Sequence, residues 1–226
     1  FTRSGTTWSQ QAKIQASDKS EQDIFGISTA IDGDTIVVGA TLSYSAAPLY
    51  ATGAAYVFTR SGTSWSQQAK LQSSDIEAND YFGISVAIDG DTMVAGAYAE
   101  DAGAGNTGAA YVFTRSGTTW SQQAKLTASD AQASDELGRS AAIDGDTVVV
   151  AARFEDTGGS NAGAAYVFTR SGTTWTQAKK IVSSDIQASD EFGFSVDISS
   201  DTIVAGAYKE DTVGSDAGAA YTFVAG

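Results

Sequence analysis

Along most of the chain, short apolar runs alternate with polar residues at a period of two, as half-buried β-strands do. In "GISVAIDGDTMVAGAY" two such runs, Ile84–Ile88 and Thr92–Ala97, meet through Asp89-Gly90. Asp-Gly at that place predicts a hairpin, because a type I′ turn needs positive φ at both central residues. After the loop "AEDAGAGNTG", "AAYVFTR" predicts a third strand with Tyr111 and Phe113 on one face and Ala110, Val112 and Thr114 on the other. "SGT" turns the chain, and "TWSQQAKLT" predicts a fourth strand. Strict alternation puts Trp120, Gln122, Ala124 and Leu126 on one face of it. Ser121, Gln123, Lys125 and Thr127 form the polar face expected of an outer edge strand. No segment has a helical period.

This pattern recurs four times. Trp8, Trp65, Trp120 and Trp175 are 57, 55 and 55 residues apart, and Gly26, Gly83, Gly138 and Gly193 keep the same spacing. A repeat of this length signals a propeller, solenoid or array. The expected fold is all-β, a β-propeller-type array of four-stranded antiparallel sheets, in one repeat domain over residues 1–226. Residues 1–17 carry an outer strand; the repeats span 18–72, 73–127, 128–182 and 183–226, the last without its outer strand. The Gly- and Ala-rich inner strands suit sheets converging on an axis. The alternative is an open, solenoid-like stack.

Composition narrows the chemistry. Among 226 residues there is no Cys and no His, so thiol chemistry, disulfides and the commonest general base are excluded. A formal net charge of −14 opposes binding to nucleic acid. No apolar run approaches the length of a membrane span, so membrane insertion is not expected. An acidic chain free of cysteine and rich in Gly, Ser, Thr and Ala reads as a bacterial extracellular repeat protein.

The residues "YFGISVAIDGDTMVAGAY", followed by "GAAYVF", resemble the FG-GAP repeat of integrin-α-type β-propellers, in its bacterial tandem-repeat branch. The FG element is matched by Phe25-Gly26, Phe82-Gly83 and Phe192-Gly193, with Leu137-Gly138 as a departure. The GAP element is matched in part by Gly39-Ala40, Gly96-Ala97 and Gly206-Ala207; Thr41, Tyr98, Arg153 and Tyr208 stand in place of its proline. The resemblance implies a propeller fold and, in several family repeats, a calcium loop between the first two strands. Here that place holds only short turns such as Asp89-Gly90-Asp91, too short to wrap an ion that wants six to eight oxygens.

Two other acidic places recur. One is the pair before FG, Asp18/Asp23, Asp75/Asp80, Asp130/Asp135 and Asp185/Asp190. The other is the loop pair Glu100-Asp101, Glu155-Asp156 and Glu210-Asp211. Such carboxylates either contribute to calcium binding or cap turns and keep the loops solvated. No cofactor is required on this reading, with calcium the one candidate. Trp8, Trp65, Trp120 and Trp175 either stack on sugars or cover the outer edge of each blade. Tyr44, Tyr50, Tyr98 and Tyr208 are further aromatic candidates on loops. The recurring Arg3, Arg60, Arg115 and Arg170 read as structural cations. A glycosidase pair needs unlike environments for its two carboxyls, and the conspicuous acids here are repeated alike, so no catalytic residues are assigned.

The chain opens on an outer strand and closes on a third strand. Thr7, Trp8, Ala12 and Ile14 are therefore expected to pair beside Ala219, Tyr221 and Phe223, in the same chain or in a neighbour. The expected function is a non-catalytic extracellular structural or adhesive protein that self-associates head to tail or belongs to a longer repeat array. The alternative is a ligand-binding module, a calcium-assisted lectin or receptor head, with a glycan or surface protein as partner.

Overall fold

The computed structural model describes residues 1–43, 52–101 and 105–224. The all-β reading holds. A hairpin of β1 (Thr2–Ser4) and β2 (Thr7–Ser9) precedes three four-stranded antiparallel meanders. The first contains β3 (Phe25–Asp32), β4 (Thr35–Ala40), β5 (Ala54–Ser61) and β6 (Ser64–Leu71). The second contains β7 (Val86–Asp89), β8 (Thr92–Ala97), β9 (Ala109–Ser116) and β10 (Thr119–Leu126). The third contains β11 (Leu137–Asp144), β12 (Thr147–Ala152), β13 (Ala164–Ser171) and β14 (Thr174–Ile181). The fourth blade has three strands, β15 (Phe192–Ser199), β16 (Thr202–Ala207) and β17 (Ala219–Val224). The result is a propeller-like array in which the described residues form no closed sheet.

Blades stack face to face through apolar layers. Val37, Val57 and Leu71 of the first blade pack with Ile88, Met93 and Tyr111 of the second. Val94, Val112 and Leu126 pack on Ile143, Val148 and Tyr166 of the third. Val149 and Ile181 pack on Ile198 and Ile203 of the fourth. Where the chain leaves each loop, Gly53, Gly108 and Gly163 adopt φ of 88°, 78° and 87° and lie against the backbone of Phe82, Leu137 and Phe192 in the next blade. A side chain has no room there, which is why these positions are glycine.

One expectation needs correction: the outer strands do not alternate strictly. β10 has a register shift between Gln122 and Ala124, so Gln123 is extra and Lys125 faces Tyr111. Trp120 and Gln122 thus share a face with Lys125, while Ala124 and Leu126 turn to the other face, which carries Val112 and Ala110. Of the two alternatives for the opening strand, pairing with the last blade of its own chain is not the arrangement in this structure. Thr7 and Trp8 pair with Ser4 and Arg3 of β1, and β16 is the strand paired to β17 among the described residues.

Candidate functional site

The acids singled out from sequence converge with the lysine that the bulge re-aims. Lys125 Nζ lies 2.6 Å from both Asp75 and Glu100 and 5.6 Å above the Tyr111 ring. In the third blade Lys180 Nζ is 2.7 Å from both Asp130 and Glu155, and the Tyr166 hydroxyl donates to Asp130 at 2.9 Å. In the first blade Lys70 pairs with Asp18 at 2.7 Å, and Ser43, in place of the glutamate, hydrogen-bonds the Tyr56 hydroxyl at 3.0 Å. Burial pushes Asp18, Asp75 and Asp130 up, but the lysine ammonium and hydrogen bonds outweigh it and hold them below the usual carboxylate range.

The remaining recurrent acids shape loops. Asp80, Asp135 and Asp190 each accept the backbone N–H three residues earlier at 2.7 Å. Asp101 and Asp156 accept from the N–H of Asn106 and Asn161. The Asp211 carbonyl accepts from the Gly214 N–H, closing a turn. No group of three or more acidic side chains is arranged to hold a metal among the described residues. In the second and third blades the cationic place between the acids is already filled by a lysine.

The buried turn acids set a pH dependence. Burial, then the charges of Glu100 and Glu155 against the opposing turn hydrogen bonds, raises Asp80 and Asp135 to about 6. A raised folded-state value means the native protein binds more protons than the unfolded chain between about pH 4 and 6. Stability should therefore increase on acidification from pH 8 to 5, by on the order of 1 kcal/mol per group. Below about pH 4 it should fall as Asp18, Asp75 and Asp130 lose their lysine pairs. Urea unfolding across pH checks this. Asp80→Asn with Asp135→Asn should flatten the upper limb, and an unaltered profile would refute the assignment.

The Asp-Gly turns link neighbouring blades. Asp32, Asp89 and Asp144 accept the turn N–H of Gly90, Gly145 and Ser200 in the next blade at 2.8, 2.7 and 2.6 Å. Arg60, Arg115 and Arg170 pair with Asp34, Asp91 and Asp146 and lie 5.5, 5.1 and 5.1 Å over the Trp65, Trp120 and Trp175 rings. Each indole N–H donates to a glutamine of the preceding outer segment: Trp65 to Gln11, Trp120 to Gln68, Trp175 to Gln123. Trp120 is 8% exposed and offers no open platform, whereas Trp8 is 63% exposed.

One row departs from the repeat. Its signal in the sequence is the set of positions where near-identical copies differ; of its members, Tyr98, Arg153 and Tyr208 are named there as departures from the GAP element, and only Tyr98 and Tyr208 as binding candidates. Tyr81 and Tyr98 stack with centroids 5.0 Å apart, and the Arg139 guanidinium lies 3.5 Å over Tyr98 while pairing with Glu136. Arg153 sits 4.3 Å over Phe154 and 3.8 Å from both Glu136 and Glu191; Phe194 meets Tyr208 at 4.3 Å. Such a row presents aromatic edges beside fixed charges. Tyr44 and Tyr50 lie outside the described residues.

The ends of the array match its interior. Gln11 and Ser17 hold the opening segment on the first blade, through Trp65 and Gln67. Gln68 and Ser74 hold β6 on the second blade through Trp120 and Gln122 in the same way. Ile14 and Ala16 pack with Phe25 and Tyr56. The opening segment thus lies where the outer strand of a preceding blade belongs. No helix of the described residues is long and apolar enough to cross a membrane.

A family profile described as "FG-GAP repeat" matches residues 8–58, 65–113, 120–168 and 175–223. Each match runs from an outer strand into the three inner strands of the following blade, the same unit that the Trp–Gln bonds hold together. No match was found among curated proteins. FG-GAP repeats indicate an integrin-like ligand-binding or adhesive module, are generally non-catalytic and typically occur in extracellular or surface proteins. With four tandem matches covering most of its length, this chain belongs to the FG-GAP repeat family.

Proposed function

We propose that this chain is a non-catalytic structural and adhesive module of a bacterial cell surface, joined head to tail by strand complementation. The observation that carries this reading is that its two terminal faces are the two halves of an interior blade junction. Ile31 is 66% exposed on the first blade, whereas Ile88 and Ile143 at the same place are 9% exposed against a preceding blade. Val204 is 37% exposed on the last blade, whereas Val94 and Val149 are fully buried against a following one. Joining the faces buries both and pairs the open edge of β17, which removes an edge-strand liability. The contact is heterologous, so it propagates when it does not close on itself. Continuous assembly would repeat the divergent row of Tyr98, Arg139, Arg153 and Phe194 at regular intervals, and multivalent display strengthens weak contacts to glycans or surface proteins.

The test is direct imaging of the purified chain by electron microscopy with sedimentation over a wide concentration range. Filaments with a repeat matching four blades are expected. Strictly monomeric behaviour at every concentration would overturn the proposal.

A further inference from the structure

The last blade repeats the lysine socket without its lysine. Asp185, Glu210 and Tyr221 stand where Asp130, Glu155 and Tyr166 surround Lys180 in the third blade. Glu210 is 4% exposed and accepts from the Thr212 N–H at 2.7 Å, as Glu155 accepts from Thr157. In each complete blade the cation arrives on the outer strand five residues after the tryptophan: Trp65 and Lys70, Trp120 and Lys125, Trp175 and Lys180. Among the described residues the fourth blade has no such strand. The opening segment "WSQQAKI" differs from "WSQQAKL" of β6 and β10 only at its last residue, and it places Lys13 five residues after Trp8. Lys13 is exposed.

Resting on the strand-complementation reading, we propose that the socket of the last blade takes Lys13 of a second copy of this chain. The register follows from the complete blades. In β10 and β9, Lys125 faces Tyr111, Leu126 faces Ala110 and Gln122 faces Phe113 around the bulged Gln123. Transferred to the open edge, Lys13 faces Tyr221, Ile14 faces Ala220 and Gln10 faces Phe223, with Gln11 bulged. Charge complementarity selects the occupant, because the buried Glu210 beside Asp185 favours a strand bearing one ammonium at that register over an uncharged one. A second copy is assigned because in this structure the opening segment lies on its own first blade, whose outer face with Ile31 remains exposed, and not beside β17.

The experiment mixes ¹⁵N-labelled and unlabelled full-length chains and forms zero-length carbodiimide cross-links between ammonium and carboxylate groups. Mass spectrometry then reads the joined peptides. A link from Lys13 to Glu210 or Asp185 in mixed-isotope pairs is expected, and Lys13→Glu should weaken self-association at least tenfold while leaving the thermal melt of the monomer unchanged. Mixing Lys13→Glu chains with Asp185→Lys chains should restore association. Links confined to same-isotope pairs would overturn the assignment to a second copy in favour of closure within one chain. Filaments that form without this link, and that Lys13→Glu leaves intact, would overturn the role of Lys13 while strand complementation stands. Absence of any assembly would overturn both.

Discussion

Gly108→Ala should cost on the order of 4 kcal/mol or more, enough to unfold much of the chain at ambient temperature, because it combines backbone strain with a backbone overlap. Gly108 has φ of 78°, and a methyl group there would run into the carbonyl oxygen, nitrogen and carbonyl carbon of Leu137 in the next blade. Neither side can yield cheaply, since the carbonyl belongs to the FG segment that seats Leu137 in the core between the second and third blades. The protein contains its own control. Gly218 has φ of 73° at the same place in the last blade, where the nearest atom to such a methyl would be 3.1 Å away. Gly218→Ala should therefore cost mainly the conformational strain, about 1–2 kcal/mol, with only a small adjustment at the Tyr208 carbonyl. Urea denaturation of the two variants separates the terms, and equal losses would show that blade contact is not what requires the glycine.

Lys180→Met should destabilise by about 3–5 kcal/mol, the cost of leaving the buried Glu155 carboxylate without its cation. Glu155 is 1% exposed and has Lys180 at 2.7 Å; without it, only Thr157 remains bonded to that carboxylate. The comparison is the triple variant Lys180→Met, Glu155→Gln, Asp130→Asn, which removes the charges together and should recover at least half of the loss. If the single variant costs less than about 1 kcal/mol, the socket behaves as a surface ion pair and the argument for its burial fails.

The array and its blades were legible because their determinants are local. Asp-Gly at 89–90 dictates a hairpin wherever it lies between apolar runs, and repetition at a fixed period states that every blade is built alike. The structural role of Arg115 was legible from its recurrence, whereas its partner Asp91 was not. The face presented by Lys125 was not legible. Alternation assigns it to the solvent side, and only the extra residue Gln123, fixed by its bond to Trp175 of the next blade, turns the lysine onto Tyr111. A bulge leaves no mark in the hydrophobic pattern because the inserted residue is as polar as its neighbours. The same holds for the divergent row: Tyr98, Arg139 and Arg153 lie 41 and 14 residues apart along the chain, and stacking of the blades makes them neighbours.

By itself, then, the sequence determined the strands, the turns, the repeat and the recurrent acids, since these depend on residues close along the chain. Only the tertiary structure decided which groups meet: the lysine in its acidic socket, the tryptophan on the preceding blade's glutamine, and Ile31 and Val204 left exposed at opposite ends. Those outcomes depend on contacts across some 50 residues, where the spacing of blades and a single bulge fix geometry that no local pattern encodes.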